Sequence, residues 1–318
     1  MKNRFISIVI IISLFCLTFN CINVTAESSN NSLDNNQIYY HYDAKTNKVT
    51  QFTHKELKER NSPLKSTSIS SEDTDVLSIP EYVPEHLPRE VPSQPEERVL
   101  LGSWTEINPA TSGQHRNTVY ISYRKNGNNC RASGFMIGPA AVVTSGHVLY
   151  SGGNYATNIV VTPARADSST PYGSAEYSGI VVNSDWVDDG NSNYDWGIIE
   201  LETNIGDNVG WLGLETKLTS YNNQSIKING YPGEVKGETK RTMYRTSGTI
   251  CSSKTYKLLS DDTNTIDGMS GGPLYYYSSD TGYTAIGLVK GAENGKNSFI
   301  RFTRSLYNLL VSYRDYRA

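Results

Sequence analysis

The chain is poor in the side chains that metal, redox and nucleic-acid chemistry draw on. Of 318 residues, four are cysteine and five are histidine. Cys16 and Cys21 lie at the very start, and Cys130 and Cys251 have no histidine neighbours. That spacing offers no metal site. No His-Glu-x-x-His stretch occurs, which removes the helical zinc-hydrolase pattern. Charge of one sign is lacking too. From Val99 onward there are 19 acidic and 19 basic residues. A neutral body argues against general attraction to nucleic acid or to an anionic membrane. The one long apolar run, residues 5–19, is shorter than the ~20 residues a membrane span needs. No internal repeat is evident, and nothing calls for an organic cofactor.

What is present begins with a leader. Lys2 and Arg4 precede the apolar run, and Val24-Thr25-Ala26 puts small residues at a cleavage position. Residues 1–26 read as a secretory signal, so the protein is expected outside the cell. Residues 27–98 carry 13 acidic and 8 basic side chains and show little periodicity beyond a short helix at 53–60. Prolines at 80, 84, 88, 92 and 95 forbid helix and favour an extended, solvated linker. We read 27–98 as a pro-segment that an activating protease cuts after Arg98, freeing Val99. In an oxidising exterior Cys130 and Cys251 can form one disulfide or remain thiols, and the sequence does not choose.

From Val99 the composition changes to short β-rich runs separated by Gly, Asn, Asp and Ser. Expected strands are 118–124, 133–137, 140–145, 158–164, 177–182, 196–201, 225–230, 241–250, 256–260, 273–277, 284–289 and 298–302. The 22 tyrosines suit strands. This spacing predicts an all-β protein built as a sandwich or barrels. One helix is expected at 303–313, with Leu306, Leu309, Leu310 and Tyr313 on one face. A join near Gly206 divides the body into 99–205 and 206–318, each large enough for its own core.

Three motifs carry chemistry. Asp267-Gly268-Met269-Ser270-Gly271-Gly272-Pro273 sets one serine among glycines ahead of a strand. Glycines let a backbone turn sharply and bring its N–H groups close to a substrate. Thr144-Ser145-Gly146-His147 ends an apolar run, and Asn193-Tyr194-Asp195-Trp196-Gly197 lies between the two. Base, orienting carboxylate and nucleophile thus occur in the order His147, Asp195, Ser270, one of the known orders of the Ser-His-Asp triad. His115, in a polar stretch before the first strand, reads as a solvated loop residue. An esterase or lipase would carry Gly-x-Ser-x-Gly before a helix, with histidine last in the chain, and this sequence does neither.

Beyond those motifs, the stretches Val99-Leu-Leu-Gly102, Gly134-Phe-Met-Ile-Gly-Pro139, Thr144-Ser-Gly-His-Val-Leu-Tyr150, Asn193-Tyr-Asp-Trp-Gly197 and Asp262-Thr-Asn-Thr-Ile-Asp-Gly-Met-Ser-Gly-Gly-Pro273 carry a resemblance. From Val99 to its end the chain resembles the glutamyl endopeptidases, secreted bacterial serine proteases of the chymotrypsin-like fold. The resemblance implies two antiparallel six-stranded β-barrels with a C-terminal α-helix, the catalytic site between them, and protein or peptide substrates. Ser270 would attack the peptide carbonyl, His147 would shuttle the proton, and Asp195 would hold the imidazole. The backbone N–H groups of Gly268 and Ser270 would form the oxyanion hole. No cofactor or metal is implied. A binding module that kept the barrels but lost catalysis is the rival reading, although no triad member is missing.

Three departures from the family stand out. Val148 follows the histidine where many relatives have a cysteine that bridges to one near Cys130. Met269 precedes the serine where many animal relatives carry an aspartate that pairs with the new amino terminus. The family recognises a glutamate side chain with a histidine in the strand after the nucleophile and a small hydroxyl residue before it. Thr265 fits the hydroxyl position, but the histidine position falls on Val289. A buried substrate carboxylate without a donor or cation is strongly disfavoured. Lys290 is adjacent but expected on the opposite strand face, and the freed amine of Val99 is the other available charge.

Overall fold

The computed structural model of the chain describes residues 35–61, 75–89, 92, 102–235, 237 and 239–316. The expected signal at 1–26, the cut after Arg98 and the freed Val99 lie outside the described residues. The fold is mostly β, in two large sheets and one two-stranded ribbon, with a terminal helix.

The first half closes on itself. Strands Thr157–Pro163, Thr118–Lys125, Asn128–Gly138, Ala141–Thr144, Gly197–Leu201 and Ala175–Asn183 follow one another in that order. The ladder then returns through Val160↔Glu176 and Val161↔Ala175, making a six-stranded barrel. Closure pairs the backbone edges that an open sheet would leave bare. Branched side chains such as Val119, Ile121, Val142, Ile180 and Ile199 fill the interior. They suit the pleated, crowded surface of a strand.

The second half builds most of a ten-stranded sheet, which Thr105–Ile107 and Val76–Ile79 from earlier in the chain complete. Its backbone path runs Ser252–Ser253, Lys257–Ser260, Lys296–Arg301, Gly282–Glu293, Pro273–Ser278, Ser225–Gly230, Met243–Thr249 and Thr105–Ile107. Gly213–Lys217 joins alongside Gly282–Glu293 in parallel. Ile226, Ile228, Leu258, Leu274 and Phe299 form its core. The helix Arg304–Tyr316 closes the molecule. The Thr303 hydroxyl accepts the Leu306 N–H at 3.2 Å, capping the first turn. Its apolar face, Leu306, Leu309, Leu310 and Tyr313, is buried. That face shares one core with Phe135 and Ile198 of the first half and Leu288 and Ile300 of the second.

All twelve expected strands fall on strands of the structure. The short strands Thr105–Ile107 and Gly213–Lys217 were not expected. The larger difference is upstream of Arg98. Ile38–Asp43 and Lys48–Thr53 form a hairpin whose first strand pairs antiparallel with Ala175–Asn183. The helix His54–Asn61 follows, near the expected position, and Val76–Ile79 pairs antiparallel with Gly213–Lys217. The described part of the proline-rich stretch, 80–89, turns once, with Leu87 N–H donating to Pro84 O at 2.9 Å, and is not merely solvated. Glu81 N–H donates to Thr281 O at 2.9 Å, and the Tyr82 ring stacks on Trp211 with centroids 4.2 Å apart. Prolines exclude helix but do not exclude docking against a sheet edge.

His115 also departs from expectation. It is buried, with Nδ1 3.1 Å from the Asn229 amide and Nε2 3.3 Å from that of Gln114. Desolvation, reinforced by Arg245 and Arg116, lowers its pKa to about 3. Unfolded, the ring titrates near the ordinary value of about 6.5. Between those two values the unfolded chain binds more protons than the folded one, so stability falls as pH falls through the window. Urea midpoints measured across pH 7 to 4 should therefore drop more steeply in the parent than in His115→Gln. Equal slopes would show that this ring stays solvated.

Candidate active site

Two paired strands bring His147 to Asp195. Ala141–Thr144 lies antiparallel to Gly197–Leu201, with Thr144 opposite Gly197. His147 sits in a single helical turn just past the end of the first strand, and Asp195 sits two residues before the second. The register therefore delivers both side chains to one point. The Asp195 carboxylate accepts the His147 backbone N–H at 2.7 Å through Oδ1. It also faces the imidazole Nδ1, at 2.9 Å through Oδ2 and 3.1 Å through Oδ1. An ionised carboxylate only accepts, so Nδ1 carries the hydrogen and Nε2 is left as the proton acceptor. Asp195 is 4% exposed, whereas the His147 side chain keeps 34% of its surface open. The carboxylate is thus shielded while the reactive ring edge stays accessible. The ammonium of Lys125 donates to the His147 carbonyl and holds the turn from the other side. Burial lowers the Lys125 pKa, with Cys130 and Asp195 opposing.

The loop that carries Ser270, the expected nucleophile, is held by backbone and hydroxyl groups. Gly268 and Gly271 have φ of 91° and 82°, values that favour glycine. A Cβ on Gly271 would meet the Thr144 hydroxyl at 2.1 Å, Ser133 O at 2.4 Å and Ser145 N at 2.8 Å. The backbone at Gly271, next to Ser270, is therefore pressed against the segment that leads to His147. Ser133 ties the loop from the barrel side. Its N–H donates to Ser270 O at 3.0 Å, and its hydroxyl donates to Gly268 O at 2.8 Å while accepting Tyr231 N–H at 2.7 Å. Val289 O accepts both Gly271 N–H at 2.8 Å and the Ser145 hydroxyl at 2.7 Å. Among the described residues no hydrogen bond joins the Ser270 hydroxyl to His147, a looseness common in sites without substrate. Met269 is fully buried in the second core, where it offers no charge to an incoming amine.

The groups expected at the substrate side are distributed differently from one another. The Thr265 hydroxyl donates to Asn297 Oδ1 at 2.5 Å, and the Asn297 amide donates to Thr263 O at 2.7 Å. Val289 is 1% exposed, its side chain belonging to the second core and its carbonyl to the nucleophile loop. Lys290 is mostly covered and reaches Glu293 at 4.0 Å. Burial and Lys257 lower its pKa, while Glu293 and Asp195 oppose that shift. The chain approaches this side early: the Trp104 indole N–H donates to Asn264 O at 2.8 Å. Cys130 and Cys251 are both free thiols, so no disulfide joins them. Among the described residues no cluster of three histidine, cysteine or acidic side chains could hold a metal ion.

Ser133, Ser145, Lys125 and Asn297 were not expected in the site. Ser145 stood inside the quoted Thr-Ser-Gly-His stretch. The other three lie in ordinary strand or turn sequence, and only the sheet register brings them to the loop.

With this geometry in hand, comparison with known proteins is informative. The family model described as Trypsin matches residues 105–309. The chain is 35% identical over 221 residues to the extracellular metalloprotease of Bacillus subtilis, spanning 68% of this chain and 69% of that one. It is 35% identical over 220 residues to the glutamyl endopeptidase of Bacillus licheniformis, spanning 66% and 67%. Among solved structures, a Glu endopeptidase in complex with MPD superposes with a TM-score of 0.59 at 24% identity, over 68% of this chain and 99% of that one. The protease Anisep from Arthrobacter nicotinovorans gives 0.53 at 23% identity, over 64% and 95%. The structural likenesses speak to the chymotrypsin-like fold.

The Ser133 hydroxyl orients the Gly268 carbonyl without facing a substrate, which makes it a positioning group. Removing a direct oxyanion donor costs about 10²–10³ in rate, so Ser133→Ala should lose less, roughly tenfold. The loss should fall on kcat with KM nearly unchanged. A change confined to KM, or none, would remove Ser133 from this role.

Proposed function

The chain belongs to the trypsin family and is a serine endopeptidase, and on that premise we propose that it works through His147, Asp195 and Ser270 by way of an acyl-enzyme. The observation that carries this reading is the doubly bonded contact between the buried Asp195 carboxylate and the His147 ring. In the first step the Ser270 Oγ forms a bond to the peptide carbonyl carbon, and its proton passes to His147 Nε2. The carbonyl oxygen becomes an oxyanion facing the N–H groups of Gly268 and Ser270. The C–N bond then breaks as His147 returns the proton to the leaving amine. Water, deprotonated by the same ring, releases the acyl group. The imidazolium formed in each half is stabilised by Asp195. The metal dependence in the name of the B. subtilis relative is not carried over. The chain has no His-Glu-x-x-His stretch, and the described residues offer no metal-binding cluster.

We also propose that the protein is secreted and made as a precursor, with residues 1–26 as signal and 27–98 as pro-segment. A second protease would cut after Arg98. The apolar leader, the proline-rich approach to Arg98 and the extracellular relative support this. For the residue before the scissile bond we propose glutamate or aspartate. The glutamyl endopeptidase relative and the polar pair Thr265–Asn297 favour it. One observation favours a second reading, non-acidic specificity: the family's histidine position is an apolar valine sunk in the core.

Two measurements test these statements separately. A fluorophosphonate probe should label the activated protein on Ser270, and Ser270→Ala should abolish labelling. Labelling that survives the substitution would remove the triad. A panel of peptides differing only before the scissile bond should be cut at least about tenfold faster after Glu or Asp than after Leu, Lys or Gln. Faster cleavage after apolar or basic residues would leave the protease and discard the acidic preference.

A further inference from the structure

The described residues upstream of Arg98, 35–61 and 75–89, are built into the fold on faces that do not include His147, Ser270 or Thr265. Tyr39 is 1% exposed and packs on Trp196, ring centroids 6.1 Å apart, beside the Asp195 turn. Phe52 meets Tyr313 of the terminal helix at 6.5 Å. The hairpin strand Ile38–Asp43 extends the barrel at Ala175–Asn183, where His41 Nε2 lies 3.1 Å from the nearly buried Glu200 carboxylate. Farther along, Val76–Ile79 lies on Gly213–Lys217, and Tyr82 stacks on Trp211. None of these partners is His147, Ser270 or Thr265.

The body is shaped to receive the segment. A Cβ on Gly213 would stand 2.8 Å from Ile79 O and 2.9 Å from Glu81 N. No left-handed backbone demands glycine at this position; the closest atoms it would strike belong to the upstream segment. The apolar surface facing the segment is also continuous with the common core, since Tyr39, Phe52, Leu57 and Leu77 share one cluster with Trp196, Leu214 and Tyr313. Removing the segment would bare that face and two strand edges at once, and both are association hazards.

We propose that residues 35–61 and 75–89 act as a strand-adding clamp that remains on the cut protease as part of a second, non-covalent subunit, bridging both sheets and leaving the cleft open. Its ligand is the body's own pair of edges, at Ala175–Asn183 and Gly213–Lys217, recognised by main-chain hydrogen bonds with aromatic anchors between them. The idea rests on the proposed cut after Arg98. In this arrangement the cut frees the chain at Val99 without displacing the segment. Restraint of the uncut enzyme then comes from the tethered amino terminus and not from a plug in the site.

The test uses the full chain carrying Ser270→Ala, with a site-specific protease sequence in place of residues 93–98. After complete cutting, native gel filtration should show both pieces co-eluting one to one. Separation of the pieces would overturn the clamp. Tyr39→Ala should weaken the association at least about tenfold, and Tyr82→Ala, which removes only a surface stack, should weaken it less. No effect of either would equally overturn it. In the active cut protein, added excess of the 35–92 peptide should leave KM for a short peptide substrate unchanged, whereas competitive inhibition would show a plug. Amino-terminal sequencing of secreted material tests the precursor reading by itself. Active protein that still carries residues 27–98 in one chain would overturn that reading without bearing on the gel-filtration result.

Discussion

A carboxylate sunk out of water must be repaid in hydrogen bonds, and Asp195 imposes that demand on everything around it. It is satisfied by one turn of chain, which supplies the His147 backbone N–H and ring N–H together. That turn can stand there only because Thr144 and Gly197 are opposite each other in the ladder. A register slip of one residue would send His147 to the other side of the sheet. Barrel closure, which fixes the register of every strand in the ring, is therefore a condition for the chemistry as well as for stability.

The second half reaches this point through Ser133 and Val289. Ser133 belongs to the first barrel yet bonds to Gly268, Ser270 and Tyr231. Val289 belongs to the second sheet, and its carbonyl takes hydrogen bonds from both Gly271 and Ser145. These two residues stitch the nucleophile loop to the histidine turn from opposite directions. Neither contact involves a charge, so the stitch holds without the desolvation penalty that an ion pair in the same place would bring. The glycine at 271 is what lets the two backbones lie this close.

What could be read from the sequence follows from how local each signal is. The body's strands announced themselves because tyrosine and branched residues cluster between turn formers, and the helix 304–316 because four apolar residues recur at helical spacing. His147, Asp195 and Ser270 were legible because each lies in a distinctive short stretch. Ser133 and Asn297 were not, since a serine or asparagine in a strand looks the same whether or not another segment arrives beside it. His115 misled for a related reason: its neighbours are polar, but Asn229 and Gln114 satisfy it inside the protein. The upstream hairpin was obscured by composition. Ile38-Tyr-Tyr-His-Tyr42 is short, and its polar surroundings hid that Tyr39 and Tyr42 are buried on opposite faces of the strand, in two different cores.

The cleft electrostatics bear on substrate choice. Two partly buried lysines, Lys125 and Lys290, both sense the Asp195 charge. Neither is at Val289, where the resemblance implies a histidine, and Lys290 is drawn toward Glu293. Beside Thr265 the structure offers an amide instead: Asn297 engages both Thr265 and Thr263. A neutral amide can hydrogen-bond a carboxylate but cannot compensate the loss of its hydration as a cation can. An acidic side chain bound there must then keep part of its hydration or draw on a charge from outside the pocket. The early approach of Trp104 to Asn264 brings the stretch that follows the proposed cut to this same side. On the proposed precursor reading, the cut would therefore bear on the Thr265 side of the protein through the stretch that carries Trp104, rather than on refolding of the Ser270 loop.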